Sequence, residues 1–291
     1  MSKFAVMTDS TSDLPEELAQ KHHIDILCFK IALDGEGYTE RVDFTPEQFC
    51  DMLRGAKGLP TTSQITQFEF YDQFEAYDRQ GVEEVLYVSI NAGGSGTNAA
   101  AHAAAEQFHR DHADSAMRIF IVDSHTYAMA QGGPVVEAAV KLEAGEAMED
   151  VVAYLEDRYA RMEVLLTAYT LKVIRKSGRV SAASAIAGDL LGIHPIFTLN
   201  DGVSQVVKKV RGDKAVLSSM ATLMKSRMEE GTPYYIGVSD MKYADEYTRV
   251  CEEKTGYAPR GVYVLGCAIL SNTGPEAVGL IYVGQKRERR A

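Results

Sequence analysis

No apolar run in the 291-residue chain approaches the ~20 residues needed to cross a bilayer. The best stretch, 186–197, is broken by Asp189 and His194. A targeting signal is also missing from the start. Met1-Ser2-Lys3 leads into a short apolar run, 4–7, that stops at Thr8-Asp9, where a signal peptide needs a longer apolar core. The expectation is a cytoplasmic protein without membrane insertion; transient contact with a membrane surface stays open. Cysteine is sparse. Cys28, Cys50, Cys251 and Cys267 form no C-x-x-C pair, which argues for reduced, mostly buried thiols and against a disulfide frame or a zinc site. Positive charge is in deficit: 30 basic against 41 acidic residues leave a net charge of -11. Such a surface repels phosphate, which argues against nucleic acid as a partner and against broad attachment to an anionic membrane.

What is there is a globular composition, 46% hydrophobic and 24% charged. The length predicts two domains or one large one, since single cores stop growing at ~250–300 residues. We place the division at 1–158 and 159–291. The first part alternates strands with helices. Apolar strands are predicted at 4–7, 24–31, 85–90 and 119–122, and helix starts at Pro15, Thr45-Pro46 and Ile65. This rhythm predicts a parallel sheet with helices on both faces. In the second part a helix is predicted at 147–162 and a strand at 163–170. A small, apolar helix follows at 181–191. Two strands flank Asn200-Asp201-Gly202 as a hairpin, a helix fills 214–229, and strands at 234–239, 263–268 and 278–283 bracket a helix at 244–255.

Polar loops carry the chemistry. The strand at 85–90 runs into Gly93-Gly94-Ser95-Gly96-Thr97 and then an alanine-rich helix. A helix start aims backbone N–H groups and partial positive charge at an anion, and Ser95 and Thr97 add hydroxyls. A tight turn that holds nothing is the plain alternative. Gly94-x-Gly96-x-x-Ala99, with Asp123 ending the next strand, also matches a dinucleotide fingerprint, which keeps an NAD(P)-dependent oxidoreductase as a rival function. A P-loop is excluded because no Gly-Lys-Ser/Thr follows. A nucleophile elbow, and with it a hydrolase, is disfavoured because Thr97 stands where G-x-S-x-G needs its second glycine. Three further polar loops, at 9–12, 61–64 and 272–275, fall near predicted strand ends, where open α/β sheets bind ligands; ordinary helix capping accounts for any one alone. His102, His109 and His112 read as a solvated helix face, without acidic or cysteine ligands at metal spacing. The predicted helix at 181–191 is apolar or small nearly all round except at Asp189, so it is buried in core or walls an apolar cavity.

Taken together, several segments resemble the DegV family, the fatty-acid-binding proteins that serve bacterial fatty acid kinase. They are Thr8-Asp9-Ser10-Thr11-Ser12-Asp13-Leu14-Pro15, Thr62-Ser63-Gln64, Ser95-Gly96-Thr97, Val122-Asp123-Ser124, Gln131-Gly132 and Gly178-Arg179-Val180-Ser181. Leu190-Leu191-Gly192-Ile193-His194-Pro195-Ile196, Asp201-Gly202, Lys209-Val210-Arg211 and Thr273-Gly274-Pro275-Glu276-Ala277-Val278-Gly279 complete the set. They fall in family order over nearly the whole chain. The resemblance implies a two-domain α/β protein of DegV-like, or EDD, fold. Its N-terminal domain is a three-layer α/β/α parallel sheet and its C-terminal domain carries a mixed sheet. It implies one long-chain fatty acid, such as palmitate or oleate, between the domains, with no cofactor, no metal and no catalytic residue.

Carried over residue by residue, the carboxylate contacts are Thr62, Ser95 and Asn272. The head-group vicinity is Asp9, Ser10, Thr11, Gly94, Gly96, Thr97 and Arg179. The acyl tunnel is walled by Ala183, Ile186, Ala187, Leu190, Leu191 and Ile193. The implied partner is a separate ATP-dependent fatty acid kinase of phospholipid metabolism, docking near Lys209 and Arg211. The chain departs from the family pattern at several points. Asn272 stands where a histidine is frequent, and an amide donates a hydrogen bond but carries no charge. Asn91, Ala92 and Gly94 replace two serines and a leucine, Ser177 replaces a glycine, and His194 replaces a lysine. Gly94 is expected to leave space near the head group for a different ligand.

Overall fold

The computed structural model describes residues 4–184, 186 and 192–287. The chain opens with β1 (Phe4–Asp9), a one-turn 3-10 segment at Ser10–Ser12, α1 (Glu16–Lys21) and β2 (Ile24–Leu27). It continues through β3 (Lys30–Leu33), β4 (Glu36–Thr39), α2 (Pro46–Gly55) and β5 (Thr61–Ser63). Then come α3 (Gln67–Arg79), β6 (Glu84–Ser89), α4 (Thr97–Asp111), β7 (Arg118–Asp123), α5 (Met129–Glu143) and α6 (Met148–Tyr159). Helices α2 and α3 begin on capping boxes, Thr45 with Gln48 and Thr66 with Glu69, each satisfying two otherwise orphaned N–H groups.

The rest of the chain forms β8 (Met162–Ala168), α7 (Lys172–Ser177), α8 (Ser181–Ser184), β9 (Ile193–Asn200) and β10 (Val203–Arg211). It closes with α9 (Asp213–Arg227), β11 (Tyr234–Val238), α10 (Ala244–Thr255), β12 (Gly261–Val264), α11 (Cys267–Thr273) and β13 (Ala277–Val283). Two units result. One comprises Met1–Lys30 and Ser63–Tyr159, the other Ile31–Thr62 and Ala160–Ala291.

The first unit holds a four-stranded sheet in the order β2-β1-β6-β7, parallel throughout. Its central strand β6 is almost wholly buried, as its continuous apolar run predicts. Helices α4, α5 and α6 pack on the strands, with α3 against α4. The winding goes from β1 to β2 on one side and to β6 and β7 on the other, so β1 and β6 flank a topological switch point. Ligands bind in doubly wound sheets at the carboxyl ends of such strands.

The second unit holds a six-stranded mixed sheet, β10-β9-β8-β13-β11-β12, in which only β11 and β12 run parallel, and a small sheet β4-β3-β5. Its core joins Leu165, Ile196, Met220, Tyr234, Leu280 and Tyr282 among others. The β9–β10 turn has Asp201 at φ 49° and Gly202 at φ 72°, the left-handed pair that a two-residue hairpin requires.

A parallel sheet followed by a mixed one is the predicted fold class. Several local expectations change. The segment 24–31 is two strands, β2 and β3, in different sheets. The loop 61–64 includes β5. The strand expected at 263–268 ends at Val264, and α11 begins at Cys267. The basic turn at 175–179 is the end of α7 followed by a left-handed Gly178. The chain passes between units at 30/31, 62/63 and 159/160, where a single passage near 158 was expected. The extra passages arise because β3, β4 and β5 form a sheet of their own, while α2 packs on α11 and Glu40, Cys50 and Arg54 bond to Ala268, Ser239 and Asp240. Of the helix expected at 181–191, Ser181–Ser184 is helical, while 185 and 187–191 lie outside the described residues. Cys50, Cys251 and Cys267 are buried and Cys28 is half-buried.

Candidate functional site

The carboxyl ends of β1 and β6 meet around Asp9, which is fully buried. Its Oδ1 accepts from Thr11 N at 3.2 Å and from the Thr11 hydroxyl; its Oδ2 accepts from Tyr87 Oη at 2.9 Å and Ile90 N at 2.8 Å. Burial raises the Asp9 carboxyl above its ordinary range, and these hydrogen bonds oppose that shift. Tyr87 is held protonated well above its usual range by burial and by Asp9. Gln131 extends the network, accepting from Thr11 Oγ1 at 3.1 Å and donating to Thr8 Oγ1 at 3.1 Å. Ser10 Oγ accepts from Phe29 N at 3.0 Å. Asp9, Ser10 and Thr11 therefore spend their polar atoms on holding the switch-point turn in shape.

The loop 90–96 hangs from this frame and delivers the start of α4. The N-cap is Gly96, which offers no side-chain acceptor, so the helix start is not closed by its own cap. Ser95 Oγ and Thr97 Oγ1 lie 2.9 Å apart, and Ser95 Oγ accepts from Thr97 N at 3.3 Å. Ser95 is half-buried and Thr97 buried. Two hydroxyls and a positive helix end suit a carboxylate or phosphate oxygen.

The glycines of this loop are not vacancies, which corrects the expectation for Gly94. A Cβ at Gly94 would lie 2.5 Å from Tyr127 Oη, and one at Gly96 would lie 2.1 Å from Gln64 Oε1. Asp123 accepts from the backbone N–H of Ala92 at 3.2 Å and of His125 at 2.8 Å. With both glycine faces covered and the acid engaged by its own loop, this geometry gives the dinucleotide fingerprint no support.

The other expected residues belong to the second unit. Thr62 sits half-buried in β5, at the last residue before the chain passes back to the first unit. Asn272, on α11, donates one amide hydrogen to Ala268 O at 2.8 Å. Arg179 is exposed, its guanidinium donating to Ser177 O at 2.9 Å. Lys209 and Arg211 are exposed on β10, an edge strand. His194 is buried, with Nε2 2.7 Å from Asp213 Oδ1 and its ring edge-on to Tyr169. A cleft of about 600 Å³ in this unit, a size typical of small-molecule sites, is lined by apolar Leu53, Leu59, Pro60, Leu171, Val173 and Ile193 and also by Arg54, Lys172, His194 and Glu276. Of the expected tunnel residues, Ile193 lines this cleft, Ala183 and Ile186 are buried off it, and Ala187, Leu190 and Leu191 lie outside the described residues.

Sequence reasoning did not find Tyr127 or the use of Gln64, because a missing Cβ does not announce which distant side chain takes its place. No group of His, Cys, Asp or Glu among the described residues has the arrangement of a metal site. No described helix is long and apolar enough to cross a membrane.

One parallel sheet with an uncapped helix start at its switch point, and one mixed sheet with a cleft beside it, define a two-unit α/β protein. The chain belongs to the DegV family: the family model, described as uncharacterised protein, DegV family, matches residues 3–285. A DegV domain-containing protein of Clostridium perfringens is 32% identical over 225 residues, 77% of this chain and 78% of that one. Among solved structures, a fatty-acid-binding DegV family protein from Thermus thermophilus is 26% identical with a TM-score of 0.84, covering 98% of this chain and 100% of that one. A fatty-acid-binding DegV family protein from Streptococcus agalactiae is also 26% identical, with a TM-score of 0.85 over 98% of this chain and 100% of that one.

Proposed function

We propose that this protein binds one long-chain fatty acid and presents the carboxylate to a separate ATP-dependent kinase. The observation that carries the reading is the α4 start, where Ser95 and Thr97 gather beside a helix end left open by Gly96. The two solved relatives described as fatty-acid binding support the ligand class. In this reading Ser95 donates to the carboxylate, Thr62 supplies a second hydroxyl from the crossing strand β5, and Asn272 contributes its remaining amide hydrogen. The acyl chain takes the apolar side of the second unit's cleft, along Leu53, Leu59, Pro60, Leu171, Val173 and Ile193. Burial is worth ~0.8 kcal/mol per CH₂, so a long chain contributes roughly 10 kcal/mol before ordering costs. The protein itself performs no covalent step. On the kinase, a carboxylate oxygen of the bound acid attacks the γ-phosphorus of ATP, ADP leaves, and an acyl-phosphate forms. Lys209 and Arg211, projecting from the β10 edge, are the docking charges for that partner.

The test is organic extraction of freshly purified protein with mass spectrometry, beside native mass spectrometry of the intact complex. One long-chain fatty acid per chain is the expected result. Ser95→Ala and Thr62→Ala should each retain less lipid, with affinity down about tenfold from the loss of a charge-assisted hydrogen bond, and their circular dichroism should match wild type. If both variants hold lipid as wild type does, the head group is elsewhere. An empty protein that refuses added oleate but is protected against thermal unfolding by NAD would replace this reading with the oxidoreductase.

A further inference from the structure

The loop before α4 is pinned by contacts that its sequence conceals. Asn91 is buried, and its Nδ2 donates to Tyr127 Oη at 2.7 Å while its Oδ1 accepts from Gly93 N at 3.1 Å. Asn91 N donates to Thr126 O at 3.1 Å, and Gly94 N donates back to Asn91 O at 3.0 Å. Residues 91–94 are thus tied to 123–127 through Asp123, Thr126 and Tyr127. The Tyr127 hydroxyl fills the place of the Cβ that Gly94 lacks, one residue before Ser95; besides the 2.5 Å approach to Oη, a Cβ there would meet two ring carbons at 3.2 Å.

The segment carrying Tyr127 is itself held in an unusual course. His125 has φ 55° and Ala128 has φ 57° with ψ -149°, backbone that L-residues other than glycine rarely adopt. Ala128 N is fixed by a 2.8 Å hydrogen bond to Thr11 O in the switch-point turn. The strained pair brackets Tyr127 and is anchored on the Asp9 network, so the phenol is delivered to Gly94 by a rigid support.

We infer that Tyr127 is a positioning residue for the ligand carboxylate: seated on Gly94 and bonded to Asn91, it sets where the Ser95 hydroxyl and the first turn of α4 point. The inference rests on the fatty-acid reading of the same loop. It makes Gly94 a requirement of the loop, since any side chain there displaces the phenol.

The test is a double-mutant cycle read as oleate affinity. Wild type takes up oleate. Gly94→Ala weakens binding about tenfold or more, because its methyl pushes Tyr127 off and turns Ser95 away. Gly94→Ala with Tyr127→Phe recovers most of that loss, since removing Oη leaves the methyl against ring carbons alone. In a Ser95→Ala background Gly94→Ala adds little, because the phenol acts through Ser95. Should Gly94→Ala fail to fold, Tyr127→Phe alone carries the test, with binding about threefold weaker while its circular dichroism matches wild type. Gly94→Ala binding as wild type, no recovery in the double variant, an equal loss in the Ser95→Ala background, or Tyr127→Phe binding as wild type each overturns the inference while the fatty-acid reading stands. Wild-type protein that takes up no oleate overturns the fatty-acid reading, and this inference with it.

Discussion

Asp9 accepts hydrogen bonds on both carboxyl oxygens while fully buried, so an amide cannot replace it without turning an NH₂ toward a donor. Asp9→Asn should destabilise the protein by roughly 1–3 kcal/mol. The effect should depend on pH. Because burial raises the Asp9 carboxyl above its ordinary value of 3.8, the native state holds a proton that the unfolded chain has released. That contribution is fully present below pH 3.8 and is lost as pH rises through the native value. The gap between wild type and Asp9→Asn is therefore largest in acid and narrows upward, which denaturation midpoints across pH 4 to 7 would check. A gap that widens with pH would mean the carboxylate form is the one the site favours. The sequence marks Asp9 as part of a polar loop. It does not reveal that Tyr87 and Ile90, some eighty residues on, consume the carboxylate.

At the scale of elements, legibility follows the reach of the stabilising contact. Helices α2 and α3 announce themselves because their capping boxes are local, and the β9–β10 hairpin because Asp201-Gly202 is local. Helix α11 does not. Its N-cap is Gly266, which has no side chain, and the Ala268 N–H at its start is taken at 2.8 Å by the buried carboxylate of Glu40, 228 residues earlier. Without that partner the stretch around Cys267 reads as strand, and Asn272 reads as loop. Glu40→Ala should cost about 1.5–3 kcal/mol, the worth of a hydrogen bond to a charged group. Amide exchange should accelerate along α11 first; exchange unchanged there would show that the helix holds without its distant cap. Strand β5 was hidden in the same way. Thr61-Thr62-Ser63 looks like a turn until β3 pairs with it.

At the scale of the molecule, a parallel sheet followed by a mixed one was legible in the change of rhythm along the chain, and the small sheet and the excursion of Ile31–Thr62 into the second unit were not. Periodicity reports how a segment is buried, and nothing of which sheet buries it. The second unit shares with Tyr87 of the first a set of buried groups that hold their protons. Burial pushes Tyr234 and Cys251 up to about 12, and lifts Tyr247 and Tyr282 higher still. Each keeps its proton in the native state after the unfolded chain has begun to lose it. The stability they carry is complete below their ordinary values of 9.0 and 10.0 and drains away as pH rises toward 12 and beyond. Melting temperature should fall steadily above about pH 9, and less steeply for Tyr282→Phe, which removes one of these protons; equal slopes would exclude Tyr282 as a source.

The excursion of Ile31–Thr62 also fixes a timetable. During synthesis Glu40, Cys50 and Arg54 emerge early, yet the Ala268 N–H, Ser239 O and Asp240 carboxylate they meet lie 228, 189 and 186 residues further on. At 5–20 residues per second, the nascent segment waits roughly ten to forty seconds for its partners. Throughout that interval α2, whose buried residues are Phe49 and Cys50, lacks the later helix α11 on which it packs in the finished protein. The ribosome-bound chain thus carries an apolar hook that any chaperone working at the exit tunnel is placed to hold.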